Sequence, residues 1–172
     1  MAGAGHLVKR FFGSLLPVGP SKTDAEWARD HLLEDEQVVW AKMSRQDRRH
    51  ACGVAHRAEA ALGEEATRPV IAAALLHDCG KTVAGLGTYG RVIATLSVKV
   101  AGHDVAMAWS ETRGFTRRVG LYVEHPRLGA DLLGLAGSAP LTVAWAREHH
   151  LPAEEWTVPA EIGAALKAAD DD

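Results

Sequence analysis

Leu75-Leu76-His77-Asp78-Cys79-Gly80-Lys81 is the stretch whose reading decides the fold. It follows Val70-Ile71-Ala72-Ala73-Ala74, an apolar run that predicts a buried helix over residues 67–76. An imidazole, a carboxylate and an ammonium group are costly to bury unless they are paired or hold a metal. On a helix His77 and Asp78 point about 100° apart, yet at a helix end such a pair can converge on one metal cluster. Gly80 reads as the residue that stops the helix. Taken alone, the run is equally well a helix C-terminus with His and Lys set against the dipole. The rest of the chain separates these readings.

A chain of 172 residues fits one domain with a sizeable core. Apolar residues make up 47% and aromatics only 6%, which favours packed helices over a sandwich or barrel. The expected fold class is all-α. A net charge of -3, with no long basic run, argues against binding duplex nucleic acid. Cys52 and Cys79 form no CxxC pair and read as free thiols of a reducing compartment, so a cytoplasmic location is expected. The stretch His6-Leu7-Val8-Lys9-Arg10-Phe11-Phe12-Gly13-Ser14-Leu15-Leu16-Pro17 is too short to span a bilayer, and its cations interrupt the apolar region of a signal peptide. A first helix packing on its own domain is preferred over contact with a membrane surface.

Working along the chain, Gly19-Pro20-Ser21-Lys22 is a breaker, followed by one or two helices over residues 23–43. Ser44 and Asp47 form a capping pattern that opens a helix running to about Leu62, with Gly63 as its stop. His50, Val54, Ala58 and Leu62 share its inward face, while His56 points to the surface. Gly85-Leu86-Gly87-Thr88-Tyr89-Gly90-Arg91 matches GxGxxG, but no strand precedes it, so it reads as a connecting loop. Val92, Leu96 and Val100 have helical spacing, and Gly102-His103-Asp104 reads as a solvated turn. Arg113, Arg117 and Arg118 mark a basic face or a rim that attracts phosphate. Further helices are expected from Pro126, from Pro140 up to His149-His150, and from Pro159.

Metal-ligating residue types therefore fall at the inward faces or ends of successive helices: His50, His77, Asp78, His125, His149, His150 and Asp170. Helical bundles build dinuclear centres in this way. Mixed His and carboxylate donors suit Fe, Mn, Zn, Co or Ni rather than Mg or Ca.

The order His50, His77-Asp78, Asp170, with the flanks His50-Ala51-Cys52-Gly53-Val54-Ala55, Ala73-Ala74-Leu75-Leu76-His77-Asp78-Cys79-Gly80-Lys81 and Ala168-Ala169-Asp170, resembles the H…HD…D signature of the HD-domain metal-dependent phosphohydrolases. The resemblance covers about residues 44–170. It implies a single HD-domain helical bundle over 44–172 with the metal site in its core, and an N-terminal helical segment, 1–43, packed on it. His125-Pro126-Arg127-Leu128-Gly129-Ala130-Asp131-Leu132-Leu133 and His149-His150 are similar to the HD-GYP branch, which adds histidines for further metals. The glycine-tyrosine-proline stretch naming that branch is replaced here by Leu151-Pro152-Ala153-Glu154-Glu155-Trp156. Gln46 stands where some members have a glutamate ligand, and the segment between Asp78 and His125 is longer. The resemblance therefore does not carry cyclic di-GMP specificity or a third metal.

What it implies is a phosphohydrolase acting on a phosphoester of a nucleotide or cyclic dinucleotide, with two divalent transition-metal ions, Fe or Mn first. Asp78 would bridge them, with His50, His77 and Asp170 on one ion and His125, His149 or His150 on the other. Lys81 would face the substrate phosphate, helped by Arg91, Arg117 or Arg118. Two further readings stay open: a mixed-valent diiron oxygenase of the same fold, and a catalytically degenerate HD module that binds a nucleotide.

Overall fold

Capping chemistry starts the first helices where the sequence puts them. In the computed structural model, which describes residues 18–171, the Ser21 hydroxyl accepts the Asp24 N–H and opens α1 (Lys22–Asp30). The Leu33 N–H donates to the Glu36 carboxylate at the start of α2 (Glu34–Lys42), so the stretch 23–43 forms two helices. Ser44 accepts from the Asp47 N–H and opens α3 (Arg45–Leu62), which ends at Gly63 with φ 55°. Proline sits in the first turn of α4 (Arg68–Leu76), α9 (His125–Leu135) and α10 (Pro140–Glu148), where a missing N–H costs nothing. The expected first helix over His6–Pro17 lies outside the described residues.

Between α4 and α9 run α5 (Lys81–Ala84), α6 (Thr88–Ala101), α7 (His103–Ala108) and α8 (Gly114–Val123), and α11 (Ala160–Asp171) closes the chain. Single 3-10 turns lie at Gly63–Glu65, Trp109–Glu111 and Ala153–Glu155. Among the described residues there is no strand: the chain is all-helical. Two expectations change here. Helix α6 begins at Thr88, so Gly90 and Arg91 are helical rather than part of a glycine loop. His103 and Asp104, though exposed as expected, start α7 rather than forming a turn. Gly102, at φ 88°, breaks the backbone between α6 and α7 and lets each begin afresh.

Helix α4 is the axis of the main core. Every residue from Val70 to Leu76 is buried, and the helix lies between α3 and α10. Helix α11 packs on α3, and α9 on α10. Ala72, Ala73 and Ala74 leave room for neighbouring helices to approach, while Ile71, Leu75 and Leu76 each contribute about 1.5–3 kcal/mol of burial. Trp40, from α2, and Trp145, from α10, are the largest buried side chains, and Trp145 meets Trp156 edge-on at 5.4 Å. Residues of α1 and α2, including Ala28, Val39 and Trp40, join this same core.

A second, smaller cluster forms from Ala84, Leu86, Ala94 and Val119, with Val98, Trp109, Leu121 and Tyr122 against it. The segment between the His-Asp pair and His125 thus folds as a lobe with its own small core. It joins the main body through α5, which packs on α9.

Gly80 corrects another expectation. Its backbone is right-handed, φ −62°, so it does not stop α4 by adopting a left-handed conformation. A Cβ at this position would sit 2.0 Å from the His125 carbonyl oxygen and 2.6 Å from the Gly129 nitrogen. The glycine is needed because α9 crosses the turn after α4 at backbone contact. Gly80→Ala is therefore expected to destabilise the fold by about 3 kcal/mol or more. Gly134→Ala, with open space at its Cβ, should leave stability unchanged or raise it by about 0.5–1 kcal/mol. Urea unfolding of the two variants checks both signs.

Candidate metal centre

Several helix ends meet around Asp78. His77 is the C-cap residue of α4, His149 that of α10, and His125 the first residue of α9. Each of these rings donates from Nδ1 to a backbone carbonyl three residues earlier. His77 reaches Ala74 at 2.9 Å, His125 reaches Tyr122 at 2.7 Å, and His149 reaches Ala146 at 3.0 Å. These carbonyls lie in the last turns of α4, α8 and α10, where helices leave acceptors to be satisfied by other groups. One local device therefore fixes three imidazoles, and it aims each Nε2 inward.

All three Nε2 atoms are buried and have no hydrogen-bond partner. They surround the carboxylate of Asp78 instead. His125 Nε2 is 3.3 Å and His149 Nε2 3.7 Å from Oδ1, while His77 Nε2 is 3.4 Å from Oδ2. Three orphaned nitrogens around one buried carboxylate are unusual in a folded interior, where polar atoms find partners. A cation supplies what they lack. Donors spaced by about 3.3–3.7 Å match edges of a coordination shell with bonds of about 2.0–2.2 Å. The residues present fit a metal.

The outer positions complete two groups. His50, on the second turn of α3, donates from Nε2 to Asp170 Oδ1 at 2.9 Å, and Asp170, in the last turn of α11, is 3.6 Å from His77 Nε2. His50, His77 and Asp78 have ligand atoms within 4.8 Å of one another, as do His125, His149 and His150. His150 is exposed, its ring 4.1 Å from that of His149 and 5.2 Å from that of His125. All seven residues singled out in the sequence as ligand types are thus brought together. His56 is not among them: it pairs with Asp24 at 3.2 Å and stacks on Trp27 at 4.1 Å.

The charges are strongly coupled. Burial alone would raise the Asp78 carboxyl, but Lys81 and His77 hold it well below the usual range. Burial likewise opposes the imidazolium of His77, yet Asp78 and Asp170 outweigh it and lift the ring to about 9. His149 is pushed the other way, chiefly by burial, and stays neutral.

The cationic residues are placed differently from one another. Lys81 Nζ lies 2.5 Å from Asp78 Oδ2, on the ligand carboxylate itself. Arg91 Nη1 is 2.6 Å from Asp47 Oδ1, and its Nε donates to the Leu86 carbonyl at 3.2 Å. Arg118 is exposed but donates from Nε to the Ala84 carbonyl at 3.0 Å, so the two arginines brace the loop after α5. Arg117 is exposed and has no ion pair among the described residues. Asp47 was expected only as a capping residue. It also ties α6 to α3, one turn before His50, a role hidden because the capping pattern already accounts for it.

A metal bound through His77 must displace its proton, since the ring is protonated below about pH 9. Affinity for Mn or Zn is therefore expected to rise with pH, by about tenfold per unit for a single displaced proton. Calorimetric titration in buffers of different ionisation enthalpy should show about one proton released at pH 7. Affinity independent of pH between 6 and 8, with no proton release, would contradict this charge arrangement. Compared with family models, curated proteins and solved structures, the chain returns no significant match.

Proposed function

We propose that the chain is a metal-dependent phosphohydrolase of the HD-domain type, cleaving a phosphoester of a nucleotide or cyclic dinucleotide at a dinuclear centre. One observation carries the proposal. The two oxygens of Asp78 face different histidines, Oδ1 towards His125 and His149 and Oδ2 towards His77. A carboxylate shared in this way is what a pair of cations requires.

On this reading His50, His77, Asp78 and Asp170 would hold one ion, and Asp78, His125, and His149 or His150 the other. Bound divalent ions at such a centre supply an activated water and neutralise charge on phosphoryl oxygens. The chain's own groups do the rest. The backbone carbonyls at Ala74, Tyr122 and Ala146 keep the three imidazoles oriented, so donor geometry is set before any ion arrives. Lys81, paired with Asp78 Oδ2, would be a point charge that a substrate phosphate could draw towards itself. Arg91 holds α6 to α3 through Asp47 and fixes the rim around Lys81. On this reading substrate would enter past the exposed His150.

The test is hydrolysis of a phosphoester and cyclic-dinucleotide set by protein loaded with Mn or Fe. Activity is expected for at least one nucleotide substrate, with and without oxygen. Asp78→Asn should lose metal loading and lower kcat/KM by about 10³-fold or more while keeping its helical circular dichroism. Full activity in metal-free protein would sink the proposal. Turnover that consumes oxygen would place the centre among oxygenases instead.

A further inference from the structure

Helix α6 turns an apolar stripe away from both cores. Tyr89, Ile93, Leu96 and Val100 are 82%, 51%, 58% and 90% exposed. Their spacing of four, three and four residues keeps them on one narrow face of the helix. The opposite face is already used, since Ala94 and Val98 pack into the small core of the lobe. Ile93, Leu96, Ser97, Val100 and Ala101 line a shallow groove with Trp109. Val83, Val105, Met107 and Phe115 are exposed in the same lobe, so among the described residues eight of the twelve large exposed apolar side chains lie between positions 83 and 115. Scattered surface leucines need no explanation, but this concentration does.

Charge identifies the kind of surface that covers it. Residues 81–118 contain six Lys and Arg against two Asp and Glu, whereas the whole chain has 19 against 22. With Lys81 and Arg91 paired to Asp78 and Asp47, the exposed Lys99, Arg113, Arg117 and Arg118 still outnumber Asp104 and Glu111. Helix α6 itself carries no acidic residue. Lys99, Arg113 and Arg117 are exposed and form no ion pair among the described residues. A second copy docked through this face by a two-fold axis would bring two net-positive lobes together, which is unfavourable. An anionic lipid surface satisfies both features. It takes up the apolar stripe at the boundary of headgroups and acyl chains, and it attracts the exposed cations of the same lobe. No helix among the described residues is long and apolar enough to cross a membrane, so the contact is one of lying on it.

We infer that the Tyr89, Ile93, Leu96 and Val100 face of α6 docks on an anionic bilayer surface, with the exposed Lys99, Arg113 and Arg117 of the lobe drawn to its headgroups. The inference stands on the lobe alone and does not depend on the chemistry at Asp78.

Co-sedimentation of the full chain with vesicles of phosphatidylcholine, with and without phosphatidylserine, tests it. Binding is expected only to the phosphatidylserine vesicles, falling several-fold when salt is raised from about 0.1 to 0.5 M. Leu96→Asp with Val100→Asp should weaken it by about tenfold or more at unchanged circular dichroism, because both side chains are exposed in the free protein. A Leu96→Cys variant carrying a polarity-sensitive dye should shift to the blue on the same vesicles, Cys52 and Cys79 being buried and unreactive. Absence of binding, or binding indifferent to the double Asp variant, overturns the inference. So does binding that Phe11→Ser with Phe12→Ser abolishes while the α6 variant retains it. A dimer that the α6 variant dissociates, without vesicle binding, assigns the face to a second copy.

Discussion

A buried carboxylate at the end of a buried helix is the constraint on which the structure depends. Asp78 lies almost wholly out of solvent, and an isolated ionised carboxylate there would be prohibitively costly. The fold meets the cost with positive and polarisable groups from every side: Lys81 from the next turn, His77 from its neighbour in sequence, His125 from α9 and His149 from α10. Removing any one partner while keeping the charge leaves the rest unbalanced. Yet three of these partners are imidazoles with unbonded nitrogens, which is more donor capacity than one carboxylate uses. That surplus leaves the nitrogen donors that a cation could use.

Geometry around the carboxylate follows from how helices end. A helix terminus has carbonyls without intrahelical partners, and an imidazole placed there finds one within reach of its own Nδ1. Ending α4, α8 and α10 at the same point therefore creates a ring of oriented Nε2 atoms without any long-range network. The close crossing of α9 over Gly80 brings two of these ends together, because neither Gly80 nor Gly129 has a side chain to separate the backbones. Packing and site are thus one design. The lobe of α5 to α8 stands apart from it, tied across by the Asp47–Arg91 ion pair and the α5–α9 contact.

Much of this was legible in residue order. Caps at Ser21 and Ser44, prolines at helix starts and the spacing of His50, Val54 and Ala58 are local signals, and local structure obeys them. The seven ligand-type residues were legible because each sits at an end or inward face of a periodic segment. What was not legible depended on tertiary neighbours. Gly80 looked like a conformational stop, but its reason is the backbone of α9 at His125 and Gly129, close in space and distant in sequence. The glycines at 85, 87 and 90 suggested a loop, while packing of Ala94 and Val98 draws the helix back to Thr88. Periodicity over Val92 to Val100 announced a helix but not which face meets the core, and its apolar stripe points outward. Asp47 showed only one of its two partners, and Lys81 gave no hint that its ammonium rests on the neighbouring carboxylate.

Crystals grown with Mn and measured at a wavelength that gives anomalous signal test the central claim most directly. The account predicts two peaks that share Asp78, one within bonding distance of Oδ1, His125 and His149 and the other of Oδ2, His50, His77 and Asp170. Peaks elsewhere on the chain, or none within bonding distance of the Asp78 carboxylate at saturating Mn, would contradict it.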